Sequence, residues 1–301
     1  MTDISLKFRC EYWAVKRVAA LVRWLPRELS LAFGGRLGLL AFWLLSKRRK
    51  LAEENLRRAF PQFNRKQVAG LARANFIHVG VSSMEMLRMN KFQRGGGDLE
   101  RYFDISGLEH LREAQQLGRG VIMLTGHFGF WEAGFFVLPE LGIDVDAVTK
   151  PMKNPLTDRF FNDIRESFGA GTLDSRHGAR RILKSLQANR VVGVLLDQHI
   201  SPPGSVATDF FGRKAYTTTA ISNLAMKFQV PVVPVFSRRL PNNRYLAVIE
   251  PMLLLQGQGE QAVQENTQLL TNIIETAVRE DITQWFWMHK RWRVPEETAA
   301  N

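Results

Sequence analysis

The chain has 301 residues, 45% of them hydrophobic and 23% charged, which excludes long disorder and allows one large domain or two smaller ones. A single cysteine, Cys10, excludes a disulfide framework and a cysteine-rich zinc site. The formal net charge of +12 calls for an anionic partner, and residues 1–50 concentrate it, with 11 basic residues against 3 acidic ones.

What lies between those charges selects among nucleic acid, lipid and acidic protein. From Tyr12 to Arg27 the sequence carries Trp13, Val15, Val18, Leu21, Val22 and Leu25, with the cations on other positions. This predicts a basic amphipathic helix of the kind that lies in a lipid interface. Residues 29–46 are almost wholly apolar but are interrupted by Arg36, and the cluster Lys47 to Lys50 follows at once. That length is borderline for a span, so three readings stay open: a helix lying in or dipping into the membrane, a single span, and a core helix. A cleavable signal peptide is not expected, because no small-residue cleavage site follows a short apolar core. Nucleic acid is not expected either, since zinc-finger spacing, ribonucleoprotein motifs and a helix-turn-helix are all missing.

Residues 51–92 predict two helices split by Pro61, and the string Arg94 to Asp98, RGGGD, is the clearest break in the chain. Three regions follow: membrane-associating helices over 1–50, a helical segment over 51–97 that packs on the core, and a core over 98–301. In the last, apolar β-rich runs occur at 120–129, 145–150, 191–198, 230–239 and 245–251. Helical stretches at 131–138, 155–168, 178–188 and 217–228 separate most of them. Alternation of this kind predicts an α/β fold with a mixed, largely parallel sheet flanked by helices, with functional residues at the strand ends.

One such end is TGHFGFWEAG, Thr125 to Gly134. His127 follows a buried strand, and Glu132 comes five residues later, early in a helix. A carboxylate there fixes one imidazole tautomer and leaves the other nitrogen to take a proton from an incoming hydroxyl. The flanking glycines, Gly129 among them, permit close approach to the site. The elbow G-x-S-x-G is absent, which fits direct transfer to an alcohol better than an acyl-enzyme. A surface or core pairing of His127 and Glu132 is the plain alternative.

These strings, in order, resemble the bacterial lipid A biosynthesis acyltransferases, within the superfamily of glycerolipid acyltransferases that carries H-x4-D/E. The resemblance runs from LAEENLRRAFP (51–61) through TGHFGFWEAG, NPLTDRFFNDIR (154–165), VVGVLLDQ (191–198), DFFGRKAYTTT (209–219) and VPVVPVF to QWFWMHKRWR (284–293). It implies an acyl group taken from an acyl carrier protein or coenzyme A thioester and placed on a hydroxyl of a phosphorylated glycolipid at the cytoplasmic face of the bacterial inner membrane. It implies no cofactor and no metal. His127 would be the general base and Glu132 its partner. Arg165 would neutralise acceptor phosphate or the oxyanion, and Asp197 and Gln198 would line the site. Phe211 and Gly212 with Thr218 would form a loop and helix start beside acyl or phosphate groups. Lys150 stands where better-known members often have arginine. A related enzyme acting on another glycolipid, such as a phosphatidylinositol mannoside, a thioesterase, and a non-catalytic membrane-binding protein are the rivals. For QWFWMHKRWR, phosphate and interface contact competes with a buried helix end.

Overall fold

The computed structural model describes residues 4–175 and 178–293. Four helices come first: α1 (Leu6–Trp24), α2 (Arg27–Leu44), α3 (Ser46–Ala59) and α4 (Arg65–Arg88). Then come α5 (Asp98–Tyr102), β1 (Phe103–Ser106), α6 (Leu108–Gln116), β2 (Val121–Thr125), α7 (Gly134–Glu140), β3 (Val145–Thr149), α8 (Pro155–Glu166), β4 (Gly171–Asp174), α9 (Gly178–Gln187) and β5 (Val191–Leu195). A hairpin, β6 (Ser205–Phe210) and β7 (Arg213–Thr218), precedes α10 (Ala220–Phe228), β8 (Val232–Arg239), β9 (Tyr245–Ile249) and α11 (Gly259–Glu280).

Seven strands form one sheet in the order β1-β9-β8-β2-β5-β3-β4, parallel throughout except for the β8–β9 pair. β2 and β5 sit at its centre and are buried on both faces, which is why they read as continuous apolar runs. Alternate side chains feed the two sides: Ile122 and Leu124 enter a core with α3, α4, α11 and the hairpin, while Val121 and Met123 face α6, α7 and α8. The α/β expectation thus holds.

Three differences concern local elements. The helix expected over 217–228 begins only at Ala220, because the residues before it are the second strand of the hairpin. The stretch after His127 opens with a 3₁₀ turn, Trp131–Ala133, before α7. β1, β4, the hairpin and α11 were not foreseen.

α4 is the central bar of the helical part. A capping box opens it, with Asn64 Oδ1 accepting from Gln67 N at 3.0 Å and Gln67 Oε1 accepting from Asn64 N at 2.9 Å. α2 crosses α4 at glycines, so closely that a Cβ on Gly38 would lie 2.2 Å from the Phe76 carbonyl oxygen and one on Gly80 2.2 Å from that of Gly34. α2 therefore has one buried face, including Leu31, Gly34, Gly38 and Phe42, and one open face. Leu29, Leu40, Trp43 and Leu44 are exposed, as are Trp13 and Trp24 of α1. Among the described residues no single helix is long and apolar enough to cross a membrane, though α2 and α3 together, bent by 92°, have the length and composition.

Candidate active site

β2 and β5 run side by side with Thr125 opposite Leu195. Two residues beyond each strand end, at the same level, stand His127 and Asp197. This parallel register brings together two groups 70 residues apart. His127 Nδ1 lies 2.8 Å from Asp197 Oδ1, and the His127 backbone N–H donates to Asp197 Oδ2 at 2.8 Å. The indole N–H of Trp285 donates to the same Oδ2 at 2.7 Å. Burial pushes the Asp197 carboxyl up, but the facing charge of His127, its ring and backbone N–H bonds, and the Trp285 bond outweigh burial and hold it down at about 2. Asp197 is thus an ionised acceptor. It keeps the proton on Nδ1 and leaves Nε2 as a base. Gln198 Nε2 lies 3.1 Å from that Nε2 and serves as its donor.

The turn carrying His127 is held on every side. Its carbonyl accepts from Phe286 N at 3.0 Å, Gly129 N donates to Gln284 O at 3.1 Å, and Phe130 N donates to Ser237 O at 3.0 Å. Gly129 has φ +59, and a Cβ there would lie 1.7 Å from Ser237 O, so only glycine fits. From α4, His78 reaches the Gly129 carbonyl at 3.2 Å. Burial, then the nearby Arg239 charge, lower its pKa to about 3, so it bonds there as a neutral ring.

The expected His127–Glu132 pairing is corrected. Both Glu132 oxygens are taken by Arg165 in a bidentate pair, Nε to Oε2 at 2.9 Å and Nη2 to Oε1 at 2.7 Å. The carboxylate on His127 is Asp197. The physical reason is the entry into α7: the 3₁₀ turn points Glu132 at α8, whose last turn carries Arg165. Both partners are buried. Burial disfavours the charge of Arg165, and the Glu132 bonds and charge more than offset it, so its pKa is raised.

His127, Glu132, Arg165 and Lys150 line one cleft of about 210 Å³. Its other wall is apolar: Met123, Phe135, Val145, Ala147 and Leu195. Trp131 stands edge-on to the imidazole at 5.3 Å between ring centroids. A base at the mouth of a half-apolar cleft, beside Lys150 and the Glu132–Arg165 ion pair, suits an apolar chain that ends in a polar, reacting carbonyl.

The structure does not bring Phe211, Gly212 or Thr218 into this cleft. Phe211 and Gly212 form the tip of the β6–β7 hairpin, where Phe211 N donates to Glu275 on α11 at 2.5 Å and its ring packs on Phe60 and Trp287. Thr218 ends β7 and accepts from Ala220 N at 3.3 Å. Gly129 shapes the turn without lining the cleft. The segment QWFWMHKRWR is largely packed inward: Trp285 and Trp287 lie in the core and Arg291 donates to Gln198 O, Tyr216 O and Thr217 Oγ1, while Lys290 and Arg293 stay exposed. Sequence reasoning missed Trp285 as a partner of Asp197. Its signal was the density of tryptophan in a basic segment, which reads equally as an interface anchor.

A family model described as bacterial lipid A biosynthesis acyltransferase matches residues 2–294. The chain is 28% identical over 291 residues to the lipid A biosynthesis lauroyltransferase of Escherichia coli (strain K12), covering 95% of this chain and 92% of that one. It is 24% identical over 283 residues to a lipid A biosynthesis acyltransferase of Haemophilus influenzae, at 92% and 87% coverage. A phosphatidylinositol mannoside acyltransferase of Mycobacterium tuberculosis is 29% identical over 135 residues, 43% of this chain and 42% of that one.

Proposed function

The chain belongs to the bacterial lipid A biosynthesis acyltransferase family, and from that premise we propose that it moves a fatty acyl group from an acyl carrier protein or coenzyme A thioester to a hydroxyl of a lipid A precursor, with His127 as general base and Asp197 as the carboxylate that orients it. The observation that carries the reading is the His127–Asp197 pair at 2.8 Å at the mouth of a half-apolar cleft.

The acceptor hydroxyl replaces the Gln198 amide at His127 Nε2 and gives up its proton there. Its oxygen attacks the thioester carbonyl carbon. The imidazolium that forms is stabilised by Asp197, which stays ionised. Collapse breaks the carbon–sulfur bond, and the proton on Nε2 passes to the leaving sulfur. Lys150 and Arg165 face the developing oxyanion and the acceptor phosphates, while the apolar wall takes the acyl chain. Full-length likeness to lipid A enzymes supports that acceptor over a mannoside, for which the match covers less than half of the chain.

Exposed Trp13, Trp24, Trp43 and Leu44 among basic side chains support a seat on the cytoplasmic face of the inner membrane. The buried glycine face of α2 supports lying along that surface over spanning it.

The test is mass spectrometry of lipids from a Gram-negative host with and without the protein and its His127→Ala variant, together with purified protein given acyl carrier protein thioester alone. The expected result is a lipid A species heavier by one acyl chain, lost in the variant. Free fatty acid formed without any acylated acceptor would replace the transferase reading with a hydrolase. A new acylated lipid of another class would move the acceptor.

A further inference from the structure

A second cavity, of about 370 Å³, lies between the start of α2, the end of α4 and α5, and shares no residue with the cleft. Its wall carries four cations, Arg27, Arg88, Lys91 and Arg101, against two acids, Glu28 and Asp98. Arg27 is already paired with buried Glu85, and Asp98 accepts from Gln93 N at 2.9 Å. Arg88 differs from these. Its residue is 8% exposed, its Nε is buried without a partner, and among the described residues nothing bonds or pairs with its guanidinium.

Burying most of an arginine side chain with its Nε shut off from water is costly, and the two Nη groups, unbonded and still accessible, are left to meet an anion that enters. The C-terminal end of α4 offers it only a favourable dipole and no lone pair in bonding range. Glu28 lines the same cavity but makes no ion pair with Arg88. Among the described residues Arg88, Lys91 and Arg101 form no ion pair, and three such cations around one opening form a site for a group with several acceptor oxygens and more than one negative charge, which is phosphate.

The surroundings point to the source. Arg27 and Glu28 sit between Trp24, 82% exposed, and Leu29, 56% exposed. Apolar side chains beside an anion site are the arrangement that a phosphate on a lipid requires. We propose that the Arg88 cavity binds the phosphate of a membrane lipid headgroup, at a site separate from the cleft that holds His127. The membrane seat proposed above enters only in the source of the phosphate, and neither readout below depends on acyl transfer.

The test uses the full chain and two probes. Inorganic phosphate at about 10 mM, against chloride at equal ionic strength, raises the melting temperature of the wild type and not of Arg88→Met, since binding to the native state alone stabilises it. Vesicles of phosphatidylcholine with about 20 mol% phosphatidic acid bind Arg88→Met about tenfold or more weakly than the wild type, the loss expected for a charge-assisted phosphate contact. Arg36→Met, which removes an exposed charge from the same α2 helix, is the control for bulk electrostatics. Exposed Lys91 supplies a second variant, Lys91→Met, whose fold is not at stake and whose vesicle affinity falls several-fold. If the phosphate shift vanishes in Arg88→Met while vesicle binding is kept, the ligand is a soluble phosphate and the lipid assignment is overturned. If phosphate leaves the wild type unmoved and the Arg88 and Lys91 variants bind vesicles like the Arg36 control, the site itself is overturned.

Discussion

Replacing Glu132 by alanine removes the partner of a buried arginine rather than the partner of the catalytic base. Glu132 is 7% and Arg165 8% exposed, and their two bonds at 2.7 and 2.9 Å leave Arg165 only Asn162 Oδ1, at 3.0 Å, once the carboxylate is gone. Breaking a buried pair from one side costs about 3–5 kcal/mol, because the remaining charge stays out of water. For 301 residues the unfolding entropy is roughly 0.6 kcal/mol per kelvin, so the melting temperature of Glu132→Ala should fall by about 5–8 °C. Glu132→Ala with Arg165→Met removes both charges and should recover most of that loss. Unfolding in urea and by heat, on the single variants and the double, gives the coupling directly. A Glu132→Ala protein as stable as the wild type, or a double variant no better than the single, would refute the assignment. In that case loss of turnover at full stability would return Glu132 to His127.

Asp197→Asn should lower kcat by roughly 10³–10⁴-fold, since an amide no longer holds the Nδ1–H tautomer or the imidazolium, and steady-state transfer rates at saturating thioester check it. Trp285→Phe should keep the fold and cost about tenfold, because it removes one of the bonds that keep Asp197 ionised. Stability should fall on acidification in two windows. His78 has a folded pKa of about 3 against 6.5 unfolded, so the stability held above pH 6.5 declines as pH drops from 6.5 towards 3, by about 1.4 kcal/mol per pH unit, and His78→Gln flattens that slope in urea titrations. Asp197, at about 2 against 3.8, adds a loss confined to the interval from about 4 down to 2, which Asp197→Asn removes. Gly38→Ala should destabilise by about 1–3 kcal/mol or more, because its Cβ meets backbone, whereas Gly35→Ala, whose nearest contact is 3.5 Å, should be neutral or stabilising in the same melts.

β2 and β5, buried on both faces, and β3, β8 and β9, buried over part of their length, were legible because each is an apolar run. β1 and β4, four residues each and partly exposed, and the polar hairpin SVATDF–RKAYTT lack that contrast. The position of His127 was legible for the same reason: it follows such a run. Its partner was not. Linear spacing favours Glu132, five residues on, whereas the actual carboxylate comes from the next strand through a register that only the folded sheet sets. Asp197 was visible as a strand-end acid, and only its distance in the chain concealed its role. The hairpin tip was misread because paired phenylalanines beside a glycine look alike whether they greet a ligand or pack on α11.

The glycine crossing of α2 on α4 has a consequence for how such proteins are dissected. α4 donates Asn75 Nδ2 to the carbonyls of Thr283 and Trp285 and places His78 on Gly129, so the bar that receives α2 also braces the turn of His127. Cutting away residues 1–46 to obtain a free catalytic unit would strip a groove fitted backbone to backbone and bare Phe76 beside it. Such a fragment would lose turnover through a loosened turn, whatever its affinity for lipid. Substitutions at exposed positions, at Trp24 of α1 or Trp43 on the open side of α2, leave that joint intact, and they separate attachment from chemistry where a deletion confounds the two.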